Sequence, residues 1–132
     1  MPASNRTAKK KGAQYELELA RFFSDKLGVD VSRSYFTRDP LMRQGEGASD
    51  LIGLPRLAVE AKRVETFSIH KAAEQARKNA QAHEVPVVIS RRNKQALHES
   101  HVVIALEHFV EMYHAWAYAQ GYFGDRDDFG ET

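Results

Sequence analysis

Apolar side chains along this chain switch from a helical period to a strand period and back, and that alternation constrains the fold more than any other feature. Over residues 10–27, alanine, leucine and aromatic residues recur at helical spacing, and Gly28 supplies a stop. Residues 29–35 alternate and are β-rich. Two short runs follow, 49–54 and 57–63, broken by Pro55-Arg56 and read as a hairpin. Ser68 can cap a second helix over 69–83, with Ala72, Ala73, Ala76 and Ala80 on one face, a small-residue stripe suited to packing on a sheet. Strands are expected at 86–90 and 102–105 and a last amphipathic helix at 107–120. The stretch between the first two strands, 36–48, holds Pro40, Gly45 and Gly47 and reads as a long loop, a feature uncommon in compact domains unless it functions. The pattern predicts one α/β domain, a mixed central sheet flanked by helices, with a C-terminal strand and helix added.

Composition removes several classes of function. The chain has 132 residues and no cysteine, so a disulfide scaffold, a thiolate metal site and a cysteine nucleophile are excluded. Apolar runs such as Val85 to Ile89 are no longer than five residues, too short to span a bilayer. The lysine-rich opening carries no apolar signal core, so the expected location is the cytoplasm. A net charge of +1 hides an uneven distribution. Residues 1–11 carry Arg6, Lys9, Lys10 and Lys11 without an acid, and residues 121–132 carry Asp125, Asp127, Asp128 and Glu131 against Arg126. This divides the chain into a basic flexible arm (1–11), a neutral body (12–120) and an acidic tail (121–132). Such an arm suits a polyanion, because each neutralised phosphate releases counterions.

Acidic residues carry the chemistry. On a helical wheel Glu16 lies within about 60° of Leu19, Ala20, Phe23 and Leu27, inside the apolar arc, whereas Glu18 lies about 160° from Glu16 on the solvent side. A carboxylate on an apolar face is costly unless paired. In the hairpin, Glu60 and Lys62 share one strand face. A three-residue loop would set Asp50 opposite Glu60, with Cβ atoms about 4.5–5.5 Å apart; a two-residue turn would put Asp50 on the other face. Two carboxylates that close repel each other, and oxygen ligands without His or Cys suit Mg²⁺, with Mn²⁺ able to substitute. Lys62 beside them could stabilise charge developing on a phosphate. Arg91, Arg92 and Lys94, after a strand end, suit phosphate contacts. His98 and His101 find no second pair to complete a zinc site. Phe109, Met112, Tyr113 and Trp116 form a helical stripe that reads as core or dimer interface.

The stretch GASDLIGLPRLAVEAK, residues 47–62, resembles the active-site hairpin of the PD-(D/E)XK nuclease superfamily. KGAQYELELARFF, residues 11–23, resembles the first helix of archaeal-type Holliday junction resolvases, including relatives carried by phages. The resemblance covers roughly residues 9–94 and implies a restriction-endonuclease-like core in the order α-β-β-β-α-β. It implies Asp50, Glu60 and the Ala61 carbonyl as metal ligands, Lys62 as the motif lysine, and Glu16 as the helix glutamate that completes the catalytic set. Arg33 and Ser34 would contact DNA along with Lys9, Lys10 and Lys11, and Gln75 would line the site. The implied function is a Mg²⁺-dependent endonuclease that resolves four-way junctions by paired nicks, acting as a homodimer on branched double-stranded DNA, in the host cytoplasm if phage-encoded. A general nuclease of flaps, ends or specific sites is the nearest alternative, and a non-catalytic DNA-binding protein on the same fold is the alternative of another class. The chain departs from the family pattern at Ser49, where the superfamily has proline, and at Leu17, where many resolvases carry a basic residue.

Overall fold

The computed structural model describes residues 5–34, 49–66 and 68–123, with side chains from Lys10 onward. The expected 36–48 loop and most of the acidic tail lie outside the described residues. Helix α1 (Asn5–Leu27) begins five residues earlier than the apolar period indicates. Ala8 and the lysines are good helix formers, so Lys9, Lys10 and Lys11 belong to the opening turns of α1 rather than to a flexible arm. Gly28 ends it at φ +68°, donating its N–H to the Ser24 carbonyl.

Strands β1 (Ser32–Arg33), β2 (Leu51–Ile52) and β3 (Leu57–Arg63) come next. Helix α2 (Ile69–Asn79) and strands β4 (Val85–Arg91) and β5 (His101–Ile104) follow, and helix α3 (Leu106–Ala119) closes the order. Ser68 caps α2 as expected, its Oγ accepting the Lys71 N–H. The helix ends at Asn79, short of the expected 83. The protein is therefore α/β, and among the described residues it has three α-helices and mixed strand directions, with the strands in two sheets rather than one. β1 and β2 pair antiparallel, while β3 and β4 pair parallel and β4 and β5 antiparallel.

The three-stranded sheet carries a helix on each face. Tyr15, Leu19 and Ala20 of α1 are buried with Val59, Val87 and Ile89 from one face. Ala72 and Ala76 of α2 pack on Val88 of the other, where small side chains let the helix approach closely. The alanine stripe thus meets the sheet as anticipated. α3 departs from this plan: only its Ala117 is buried. Among the described residues, no helix is long and apolar enough to cross a membrane.

Candidate active site

The expected hairpin between β2 and β3 does not form as a ladder. The turn is the two-residue one, Pro55-Arg56, closed by the Leu57 N–H on the Leu54 carbonyl at 3.1 Å, with Arg56 at φ +66°. By simple alternation this turn would carry Asp50 to the wrong face. Gly53 prevents that. It sits at φ +109°, and a Cβ there would collide with the Asp30 carbonyl oxygen, so only glycine allows the chain to bend at this point. Past the bend β2 pairs with β1, and side chains replace its ladder to β3. Ser49 Oγ accepts the Val59 N–H at 2.8 Å, and Asp50 Oδ2 accepts the Ala61 N–H at 2.8 Å. The Asp50 N–H donates to the Val59 carbonyl at 2.7 Å. Asp50 is thereby held against the two residues that flank Glu60. The Ser49 that departs from the family pattern does this work with its hydroxyl, which a proline could not supply.

Glu60 is 7% exposed and buried on β3. Its Oε1 lies 3.2 Å from Lys62 Nζ, and its Oε2 accepts an N–H of Asn79 at 3.4 Å. Lys62 Nζ donates in turn to Gln75 Oε1 at 3.3 Å. Two residues of α2 therefore orient the Glu60–Lys62 pair. Gln75 was expected at the site; Asn79 was not, and its only sequence signal is its place four residues after Gln75, one helical turn along.

The Asp50 carboxyl is pushed up to about 7. Burial is the first cause and the charge of Glu60 the second, while the Ala61 N–H opposes both; Glu16 raises it further and Lys62 lowers it. Glu16, Glu60 and Lys62 are thus all within electrostatic reach of Asp50. Every potential ligand at this point is a hard oxygen, which fits a divalent cation such as Mg²⁺. Among the described residues, no three His, Asp or Glu side chains already form a cage, so the protein's share would be centred on Asp50 and Glu60.

Glu16 is turned toward Arg33, whose Nε donates to Oε1 at 2.9 Å. Arg33, expected on DNA, is therefore tied to the site's own acid. Ser34 is buried and gives its N–H to the Asp50 carbonyl at 2.9 Å, so its backbone positions Asp50. Arg91 also differs from expectation. It is 8% exposed, its Nη1 donates to Glu18 Oε2 at 3.0 Å, and its guanidinium lies 5.3 Å from the centre of the Tyr15 ring. Because alternation points Arg91 to the α1 side of the sheet, it is directed at the helix rather than at a phosphate. Glu18 is accordingly half-buried instead of facing water. Burial raises the pKa of Tyr15 beside it. Lys10, Arg92 and Lys94 are exposed, and Lys11 is half-buried. The side chain of Lys9 lies outside the described residues.

Comparison with models of known protein families finds no match, and no curated protein matches the chain.

Proposed function

We propose that this chain is a Mg²⁺-dependent DNA endonuclease of the PD-(D/E)XK type, with a restriction-endonuclease-like core and a junction-resolving activity. One observation carries the reading: Asp50, Glu60 and Lys62, set apart by a turn of the wrong length, are gathered at one point by Gly53 and by side-chain bonds in place of a ladder. A surface hairpin with an ordinary Glu–Lys pair has no need of a buried acid beside it.

Asp50 and Glu60, with the Ala61 carbonyl, would hold the cation. The cation, when bound, polarises a phosphoryl oxygen and makes water a stronger nucleophile. Asn79 keeps the Glu60 carboxylate oriented, and Ala61 N–H does the same for Asp50. Lys62, steadied by Gln75, presents an ammonium that can stabilise negative charge growing on the phosphate. The Arg33–Glu16 pair sits beside these groups and supplies a donor-bearing wall.

Resolution of a four-way junction needs two symmetric cuts, so the reading includes a homodimer. The exposed apolar side of α3 supports it as the isologous surface. The test is cleavage of a synthetic four-way junction alongside linear duplex, flap and single strand, with Mg²⁺ and with EDTA. Paired nicks in the junction only with Mg²⁺ are expected. Cutting of flaps or ends in preference would make the protein a general nuclease of this type, and binding without cutting would remove the catalytic reading.

A further inference from the structure

The row of the sheet that holds Lys62 continues beyond the candidate active site. In register, Lys62 pairs with Ser90 on β4 and Ser90 with His101 on β5, so the three occupy one line on the face that α2 covers. Strands lie about 4.8 Å apart, which sets His101 roughly 10 Å from Lys62. At the far end of this row lies a cavity of about 540 Å³. Ser90, Arg92 and His101 supply its polar side, and Ile69 and Val103 part of its apolar wall.

The polar groups that line it are not taken up by the fold's own bonds. Ser90 is 7% exposed, yet its hydroxyl makes no hydrogen bond with another described residue. That hydroxyl opens onto the cavity, which leaves it available to a ligand. Arg92 has no carboxylate within ion-pair distance among the described residues. Its backbone N–H, by contrast, is fixed by Gln95 Oε1 at 2.8 Å, so the loop that carries the guanidinium is braced. A hydroxyl, an imidazole and a free guanidinium beside an apolar wall match a phosphate attached to a flat or apolar body.

We infer that this cavity binds one nucleotide of the strand that passes Lys62, its phosphate taken by Ser90, His101 and Arg92 and its sugar or base laid on Ile69 and Val103. The inference rests on the nuclease reading for its choice of ligand, and it adds a positioning subsite one or two nucleotides from the cut. Such a subsite fixes the strand's register over Lys62, because contacts to the backbone hold position without reading sequence.

The test uses the full chain, with a deoxynucleoside 5′-monophosphate, inorganic phosphate and a short single-stranded oligonucleotide as probes. The ring resonances of His101 should move with the mononucleotide and the oligonucleotide, and more weakly with inorganic phosphate. Arg92→Ala and His101→Ala should each raise the Kd for the oligonucleotide in EDTA by about tenfold, since each removes a hydrogen bond to a charged group. In cleavage their loss should fall on KM more than on kcat. Ser90→Ala, which changes almost no volume, should weaken binding in the same direction without a fall in Tm. A wild type that cuts DNA while its His101 resonances stay still and the variants keep their Kd would overturn the subsite. A wild type that shifts on mononucleotide but cuts nothing would keep the subsite and remove the nuclease reading. Equal response to phosphate and mononucleotide would overturn the nucleotide assignment.

Discussion

Asp50 is the residue whose environment has the most direct thermodynamic consequence. Its folded-state pKa of about 7 stands above the ordinary 3.8, so between those values the folded protein keeps a proton that the unfolded chain has released. Stability of the metal-free protein must then fall as pH rises through that window. Asp50→Asn keeps the acceptor for the Ala61 N–H and removes the charge. In EDTA it should melt several degrees above wild type at pH 8 and level with it near pH 4, while cleavage is lost. Mg²⁺ should raise the wild type's Tm at pH 8 and leave that of the variant unchanged. A wild type whose melting curve ignores both pH and cation would show that Asp50 is not a strained acid.

The two glutamates of α1 make a second comparison at this scale. Glu18 holds a buried Arg91, and breaking such a pair leaves a cation without its counter-charge. Glu18→Gln should cost about 1–2 kcal/mol, less than a fully buried pair because Glu18 is partly exposed, and should spare the turnover of the folded fraction. Glu16→Gln should reverse the pattern, cutting turnover by an order of magnitude or more with a smaller change in Tm, since Gln can still accept from Arg33. Thermal melts and specific activities of the two variants decide it, and a Glu16→Gln enzyme as active as wild type would take Glu16 out of the site.

At the scale of elements, the bend at Gly53 matters more than any strand. Gly53→Ala forces a positive φ on a residue with a Cβ and drives that Cβ into the Asp30 carbonyl. A loss of about 2 kcal/mol or more is expected, with cleavage falling further than stability because Asp50 leaves Glu60. Chemical denaturation and activity measured together would reveal the split. Much of this was legible in the sequence: 57–63 is β3 to the residue, and the periods of α1, α2 and α3 were readable within a few positions. The partner of β2 was not. Pairing depends on contacts with residues far away in the chain, and local alternation says nothing about whether 51–52 will bond to 57–63 or to 32–33. The same gap hid Arg91, whose long side chain reaches across to a helix that precedes it by some seventy residues. Asp50, Glu60 and Lys62 were candidates from strand alternation and from the motif their spacing resembles, although the geometry that brings them together differs from the simple hairpin.

For the molecule as a whole, α3 is the element the fold leaves unexplained. Leu106, Phe109, Val110, Met112, Tyr113, Trp116 and Tyr118 are all between 44% and 74% exposed. Phe109 stacks on Tyr113 at 6.0 Å and Tyr113 meets Trp116 at 5.9 Å, so the aromatic rings form one continuous strip. With Leu106 and Val110 beside them, these rings give α3 one exposed apolar side. A large exposed apolar patch of this kind commonly marks an interaction surface. The side chains that would meet a second copy contribute little to the monomer's own core, so a dimer built on them would be separable from the fold. Phe109→Glu combined with Trp116→Glu should therefore give a folded monomer by sedimentation, with near-native circular dichroism, where wild type at micromolar concentration is expected to sediment as a dimer. Because the candidate site is built within one chain, that monomer should, on the proposed nuclease reading, still nick a junction strand in Mg²⁺. It should fail to place the second, symmetric nick within the same binding event, so nicked junctions would accumulate where wild type yields resolved duplexes. A wild type that sediments as a monomer at tens of micromolar, or a double variant that still makes paired cuts, would rule α3 out as the dimer surface.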